Sequence, residues 1–137
     1  MTLFVDTSAL VRRYVDEPGR DLVVTTMAGE ATWVASALTR TEAMMTLHHL
    51  AVSAHQQAAL WSSFRDDWDA FVVVPVDQRC LVRAAELGAH YAVRVVDAIQ
   101  LAAADRLPRP VRYLTFDRRQ IPAAAALGLE VVSPVDA

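Results

Sequence analysis

Short apolar runs alternate with longer stretches of helical periodicity along the whole chain. The apolar runs predict buried β-strands at residues 3–5, 32–35, 71–76, 111–115 and 129–132. Between the runs, apolar periodicity and Pro or Gly boundaries predict helices at residues 9–16, 20–28, 37–51, 54–68, 78–92, 97–106 and 118–127. This alternation is typical of a parallel β-sheet covered by helices on both faces, so we predict an α/β fold.

Two of the predicted helices have different hydrophobic patterns. The helix at 78–92 has one apolar face, which predicts that it packs on the surface of the fold. The helix at 97–106 is apolar nearly all round from Ala98 to Ala104, so we expect it to be central and buried. Asp97 is expected in its first turn.

Length and composition are typical of one compact domain. The 137 residues are 54% hydrophobic, enough for a core without disulfides or structural metals, so we predict a single domain over residues 1–137. Cys80 is the single cysteine and cannot form an internal disulfide. The sequence shows no leader pattern and no apolar stretch long enough for a membrane span. We therefore expect a cytoplasmic protein with no membrane partner.

Four acidic residues lie where an apolar run ends or a helix begins: Asp6, Glu42, Asp97 and Asp117. Ligand-binding residues of open α/β sheets gather at the carboxyl ends of the strands. Asp6 directly follows the run at 3–5, and the other three are expected along the same rim of the sheet.

Each acid also has a local structural interpretation. Asp97 could cap the helix that follows it. Thr39 and Glu42 have the T-x-x-E spacing of a capping box, in which the glutamate bonds back to the start of its own helix. Asp117 could stabilise a turn. A capping role explains Asp6 least well, because the neighbouring Thr7 and Ser8 could also cap a helix at this point.

The shared placement favours one metal site. Carboxylates brought within about 5 Å of each other repel by about 3 kcal/mol per pair, so a cation or raised pKa values must hold them together. Carboxylate oxygens without His or Cys partners suit hard cations, which predicts Mg²⁺ or Mn²⁺. Such ions activate water and stabilise leaving oxygens in phosphodiester hydrolysis, which is the reaction that we expect.

The net charge of -3 does not exclude a nucleic-acid partner. All thirteen basic residues are arginine, and the chain has sixteen acids. If four of the acids bind metal, twelve remain against thirteen arginines, which leaves a charge of +1.

Four segments together resemble the PIN-domain ribonucleases, and specifically the VapC-type toxins of bacterial type II toxin-antitoxin systems. Phe4-Val5-Asp6-Thr7-Ser8-Ala9 resembles the first motif of the family, and Ser36 to Glu42 resembles the segment that supplies its second acid. Arg94-Val95-Val96-Asp97-Ala98 is similar to the start of its acidic helix. Leu114-Thr115-Phe116-Asp117, followed by Ala126-Leu127-Gly128, resembles its closing segment.

The resemblance implies a PIN-like three-layer α/β/α sandwich with a parallel sheet of four to five strands. It also implies an Mg²⁺- or Mn²⁺-dependent endoribonuclease toxin that hydrolyses RNA to inhibit translation and growth. The implied catalytic and metal-binding residues are Asp6, Glu42, Asp97 and the more variable Asp117. Residues that support these acids or contact the substrate would be Thr7, Ser8, Arg94 and Thr115. The implied partners are RNA, a second copy in a homodimer, and a VapB-like antitoxin.

Two alternative functions would also fit part of this pattern. A haloacid-dehalogenase-like phosphatase also has an Asp after its first strand, but it needs a second Asp where this chain has Ser8, and a lysine, which this chain lacks. The second alternative is a catalytically inactive PIN-like module that acts in an antitoxin or repressor complex. Retention of four mutually repelling acids argues against that alternative.

Other residues of potential interest are assigned mainly structural roles. The four histidines (His48, His49, His55 and His90) have no metal-ligand spacing, and Cys80 has no activating pattern nearby. An aromatic set could line a partner groove or belong to the core, with the core favoured: Trp33, Trp61, Phe64 and Trp68. Arginines near the motifs could contact phosphates or neutralise the acids: Arg12, Arg13, Arg40, Arg94, Arg118 and Arg119.

Overall fold

A five-stranded parallel sheet forms the centre of the computed structural model, which describes residues 1–134. The strands are β1 (Thr2–Val5), β2 (Thr32–Ser36), β3 (Val72–Val74), β4 (Val111–Leu114) and β5 (Glu130–Val132), in the order β3-β2-β1-β4-β5. Every neighbouring pair is parallel. The single domain predicted over 1–137 includes three residues, 135–137, that lie outside the described part of the chain.

Seven helices connect the strands in the described part of the chain. They are α1 (Thr7–Leu10), α2 (Arg20–Ala28), α3 (Ala37–Leu50), α4 (Ala54–Trp68), α5 (Gln78–His90), α6 (Val95–Asp105) and α7 (Ile121–Ala126). Short 3₁₀ turns follow α1 at Val11–Arg13 and precede α7 at Arg118–Gln120. Among residues 1–134, no helix is long and apolar enough to cross a membrane.

The core has two halves, one on each face of the sheet. Leu3 and Val5 point to the face covered by α1 to α4, whereas Phe4 between them points to the face covered by α5, α6 and α7. This alternation is the period-two geometry of a strand buried on both sides. The predicted α/β fold and three-layer sandwich are therefore confirmed.

Helix α6 is the most deeply buried helix, as its composition predicts. Eight consecutive residues, 97–104, are buried, so its small alanine side chains let α6 pack closely on the sheet and on α5. Two of these buried residues, Asp97 and Gln100, are polar. Because a buried polar group is costly without a partner, both side chains need hydrogen-bond partners inside the fold.

The observed boundaries differ from the predicted ones by a few residues. The run at 71–76 forms strand only at Val72–Val74, because Pro75 has no N–H for a further ladder bond. The first helix begins at Thr7, directly after Asp6, and changes to a 3₁₀ turn at Val11. The stretch at 118–127 is likewise a 3₁₀ turn followed by a short helix.

The strand order places a gap at the carboxyl ends of β1 and β4. From β1 the chain proceeds outward through β2 and β3, whereas β4 and β5 lie on the other side of β1. Connections leaving these two neighbouring strands therefore diverge, which opens a crevice at a topological switch point. Asp6 and Thr115 are the residues that directly follow the two strands.

Candidate active site

Asp6 is both the cap of α1 and a buried carboxylate at the switch point. Its Oδ2 accepts the Ser8 N–H at 3.3 Å, the Ser8 hydroxyl at 2.5 Å and the Thr115 hydroxyl at 3.0 Å. Only 3% of Asp6 is exposed. This burial raises the pKa of Asp6, and the hydrogen bonds from Ser8 and Thr115 only partly oppose the increase.

Glu42 lies in the second turn of α3 and faces Asp6 across the crevice. The helix begins at Ala37, so Thr39 lies inside it and the capping-box interpretation of Glu42 is wrong. Instead, Glu42 Oε1 accepts hydrogen bonds from the Thr7 hydroxyl at 2.8 Å and from Gln100 Nε2 at 3.0 Å. These contacts hold Glu42 against α1 and α6.

Asp97 is the third residue of α6, in the first turn as predicted. It is not the cap, because Arg94 occupies that position. Asp97 accepts the Arg94 backbone N–H at 3.2 Å, and the Arg94 guanidinium donates to both carboxylate oxygens at 3.0 and 3.2 Å. Burial would raise the pKa of Asp97, but the hydrogen bonds from Arg94 and Gln120 outweigh it and lower the pKa.

Asp117 caps the 3₁₀ turn after β4, as its turn interpretation predicts, and also faces the other acids. One oxygen accepts the Arg119 N–H at 3.0 Å. The second oxygen accepts a hydrogen bond from Arg94 Nη2 at 3.1 Å, so Arg94 bridges Asp97 and Asp117. Thr115 connects this turn to Asp6, because its hydroxyl also accepts the Asp117 N–H at 3.0 Å.

All four acids line one cavity of about 190 Å³. The lining residues are Asp6, Thr7, Ser8, Val11, Glu42, Thr46, Arg94, Val96, Asp97, Gln100, Asp117 and Gln120. Of the predicted supporting residues, Thr7, Ser8 and Arg94 lie in the wall, and Thr115 stands behind Asp6. The structure thus brings together every residue predicted for the site.

The acids divide into two electrostatic halves. Asp97 and Asp117 each form ion pairs with arginine, mainly with Arg94. Within residues 1–134, Asp6 and Glu42 form no ion pair, and their partners are neutral hydroxyl and amide groups. The carboxyl groups of Asp6 and Glu42 therefore have no cationic partner among the described residues, whereas those of Asp97 and Asp117 do.

Comparison with known proteins identifies the family of this chain. Residues 3–127 match the family model of the PIN domain, which is most of the chain. This chain belongs to the PIN-domain family. Ribonuclease VapC46 of Mycobacterium tuberculosis is 33% identical to it over 133 residues, which are 96% of this chain and 97% of that protein. The predicted resemblance to the VapC-type PIN domains is confirmed.

Solved structures share the fold of this PIN domain. A toxin-antitoxin complex from Klebsiella pneumoniae contains a chain that is 22% identical, with a TM-score of 0.71 and all of both chains covered. FitAcB from Neisseria gonorrhoeae is 16% identical, with a TM-score of 0.76 over 96% of this chain and 97% of that chain. The likeness covers the sheet and its helical layers from end to end.

The residues of this PIN domain fit a hard divalent cation by their chemistry. The cavity offers carboxylate and hydroxyl oxygens, and Asp6 and Glu42 are the acids without a cationic partner. Among residues 1–134, however, no three Asp, Glu, His or Cys side chains already stand in an arrangement that could hold a metal ion. The carboxylates would therefore have to move closer together to bind one ion.

Two buried glutamines in the wall of the site were missed from the sequence. Gln100 and Gln120 donate hydrogen bonds to three of the four acids between them. A signal was present for Gln100, which is a polar residue on a helix that is otherwise apolar nearly all round. Nothing in the pattern around Gln120 distinguishes it from an exposed turn residue.

The other candidates lie away from the cavity. All four histidines are exposed, and Cys80 is buried in the core, where burial raises the pKa of its thiol. Phe64 is fully buried, and the three tryptophans are half-buried against the same half of the core. Among the remaining arginines, Arg12 pairs with Glu17 and Arg13 pairs with Asp67.

Proposed function

We propose that this PIN domain is a metal-dependent endoribonuclease, the toxin of a toxin-antitoxin module, which hydrolyses RNA phosphodiesters to inhibit translation and growth in the cytoplasm. Membership of the PIN family and the 33% identity to a protein named ribonuclease support nuclease activity. In this proposal the chain functions as a single domain over residues 1–137.

The observation that carries the proposal is a pair of carboxyl groups at the switch point that have no cationic partner among the described residues. Asp6 and Glu42 face one cavity without a cationic partner among the described residues, although burial makes an unpaired carboxylate expensive. A divalent cation bound to these carboxylates would offset the cost of burying them, and this would contribute to the affinity of the site for metal.

We assign Asp6, Glu42 and Asp97 as the principal metal ligands, with Asp117 as the fourth. Mg²⁺ or Mn²⁺ held by these residues would lower the pKa of a water molecule and stabilise the leaving oxygen of the phosphodiester. Ser8 and Thr115 fix the orientation of Asp6, and Thr7 fixes that of Glu42. Arg94, whose side chain is 55% exposed, is available to contact a phosphate of the RNA.

One further arginine near the acids is proposed as a phosphate contact. Arg118 follows Asp117 directly and is exposed. It forms no ion pair with any residue in the described part of the chain, so its guanidinium can bind the RNA backbone without first breaking an internal ion pair. Arg40 is also exposed, but it lies about half a helical turn from Glu42 and therefore on a different face of α3.

The activity is tested with purified, antitoxin-free protein on total bacterial RNA with Mg²⁺, with Mn²⁺ and with EDTA, followed by sequencing of the new RNA ends. Discrete ends are expected with either metal and none with EDTA. Asp97→Asn should abolish cleavage, whereas Asp66→Asn, an exposed acid on α4, should cleave normally. Absence of ends from a folded protein that binds Mn²⁺ would favour the inactive module over the enzyme.

The proposed partners are a VapB-like antitoxin and a second copy of the chain. Structures that share this fold include a toxin-antitoxin complex from Klebsiella pneumoniae and VapBC complexes from other bacteria, which supports the antitoxin. Light scattering of the purified chain should give the mass of a homodimer, twice 15.1 kDa. A mass of one chain at micromolar concentration would contradict the homodimer.

A further inference from the structure

We infer that Gln100 and Gln120 are positioning residues that set the spacing of the carboxylate cluster and keep it open to a cation. The inference rests on the proposed metal-dependent function and adds two residues to it. Both residues are buried, with 1% of Gln100 and 2% of Gln120 exposed. A buried primary amide is costly unless its groups are bonded, so the partners of these two residues are informative.

Each amide is fixed in one orientation by a hydroxyl group on its oxygen. Tyr113 donates its hydroxyl to Gln120 Oε1 at 2.6 Å, and Ser36 donates to Gln100 Oε1 at 2.8 Å. Since an ionised carboxylate only accepts hydrogen bonds, the nitrogen of each amide must face the acids and the oxygen must face the hydroxyl. The reverse orientation would place an amide oxygen against a carboxylate oxygen.

The amide nitrogens connect the elements that carry the acids. Gln120 Nε2 donates to Asp97 at 2.9 Å and to Asp6 at 3.4 Å, and thereby links α6 to the end of β1. Gln100 Nε2 lies 3.0 Å from Glu42 Oε1, with Thr39 and Thr7 hydroxyls at 2.8 and 3.0 Å. Gln100 thus ties α6 to α3 and α1.

A neutral hydrogen-bond donor can orient the carboxylates without neutralising them, whereas a cationic side chain cannot. A lysine or arginine at either position would hold the acids together but would also neutralise them, as Arg94 does for Asp97 and Asp117. An amide orients the carboxylates through hydrogen bonds and leaves their negative charge for a cation. The two glutamines therefore help to hold Asp6 and Glu42 in place without a cationic partner among the described residues.

The test is Mn²⁺ binding to the full chain by isothermal titration calorimetry, with circular dichroism to verify folding. Gln100→Met and Gln120→Met keep the side-chain length but remove both hydrogen-bonding groups. Each should weaken Mn²⁺ binding by about 10- to 100-fold, the usual effect of removing a group that orients a metal ligand. Gln78→Met, at an exposed glutamine of α5, is the matched control and should bind Mn²⁺ as the wild type does.

Two milder variants separate positioning from folding. Tyr113→Phe and Ser36→Ala each delete one hydroxyl that touches no acid but fixes an amide oxygen. Both should weaken Mn²⁺ binding, by less than the corresponding glutamine variant, and on RNA they should lower kcat more than they change KM. If the methionine variants do not fold, these two decide the question.

The outcomes distinguish this inference from the proposed function. Wild-type Mn²⁺ affinity in the folded glutamine variants, or in both hydroxyl variants, would overturn the positioning role and leave the nuclease proposal standing. A wild-type protein that binds no Mn²⁺ would overturn the metal-dependent function and the positioning role together.

Discussion

Asp6 and Asp97 face the same cavity, but their surroundings shift their pKa values in opposite directions. Burial raises the pKa of Asp6, which has only neutral partners, whereas Arg94 and Gln120 lower the pKa of Asp97 despite its burial. Without a cation, the negative charge of Asp6 therefore costs the folded protein more than that of Asp97. The two carboxylates should respond differently to pH and to substitution.

In metal-free buffer, Asp6 should make the protein less stable as pH rises. The folded protein holds the Asp6 proton more tightly than the unfolded chain, so the free energy of unfolding falls as pH rises from the ordinary value of 3.8 through the raised pKa. Asp6→Asn removes this dependence. Thermal melts in EDTA should show the variant gaining stability relative to the wild type over that range, with Asp66→Asn following the wild type. A pH-independent difference would contradict the argument.

Arg94 should stabilise the metal-free protein and compete with the metal. Arg94→Met removes the guanidinium that bridges Asp97 and Asp117. We expect a loss of about 1 to 2 kcal/mol in EDTA, modest because the side chain is 55% exposed to solvent. Mn²⁺ binding should become several-fold tighter, measured by calorimetry. Arg119→Met, which removes a contact to Asp117 alone, is the control and should change both quantities less.

At the scale of elements, the turn before α2 is coupled to the loop that carries Asp117. Gly19 has a φ of 94°, and a Cβ at this position would collide with the Phe116 ring. The Arg12 guanidinium lies 4.5 Å from the centroid of the Phe116 ring, and the Phe116 N–H donates to the Ser8 hydroxyl at 2.9 Å. A change at Gly19 should therefore reach the active site through Phe116.

Gly19→Ala should lower stability and Mn²⁺ affinity together. The left-handed backbone alone costs an alanine about 1 to 2 kcal/mol, and displacement of Phe116 adds to this. We expect a total loss of roughly 2 kcal/mol or more in chemical denaturation, together with weaker Mn²⁺ binding. Gly88→Ala, at a helical position where a Cβ meets nothing within 4 Å, is the control and should be neutral or slightly stabilising. If Gly19→Ala is destabilised but binds Mn²⁺ as the wild type does, the proposed coupling between the turn before α2 and the loop that carries Asp117 is wrong.

Element-level prediction succeeded where one local rule decides the structure and failed where distant residues decide it. The strand at β1 and the buried helix α6 follow from their apolar patterns, and strand ends locate Asp6 and Asp117. The capping box of Glu42 was wrong because helix α3 begins three residues earlier than that motif requires. The sequence marks Gln100 as a polar residue on an apolar helix, but the roles of Gln100 and Gln120 depend on partners up to 114 residues away and could not be predicted from it.

At the scale of the whole molecule, the site is assembled from segments spread over nearly the entire chain. Its acids come from the end of β1, from α3, from the start of α6 and from the turn after β4. Only the folded protein brings them to one cavity, so a cation that binds there cannot bind the unfolded chain in the same way. Metal binding and global stability must therefore be linked.

Mn²⁺ or Mg²⁺ should consequently raise the melting temperature of the wild type. At a free metal concentration of about 100 times Kd, the linkage contributes about 2.7 kcal/mol, or roughly 10 °C for a domain of this size. Asp6→Asn should lose most of this increase although its melting temperature in EDTA is higher than that of the wild type, because it removes both the repulsion and a ligand. Asp66→Asn should retain the full increase. Equal metal-induced shifts in both variants would mean that the cation binds elsewhere on the fold, and the assignment of the cavity as the metal site would then be wrong.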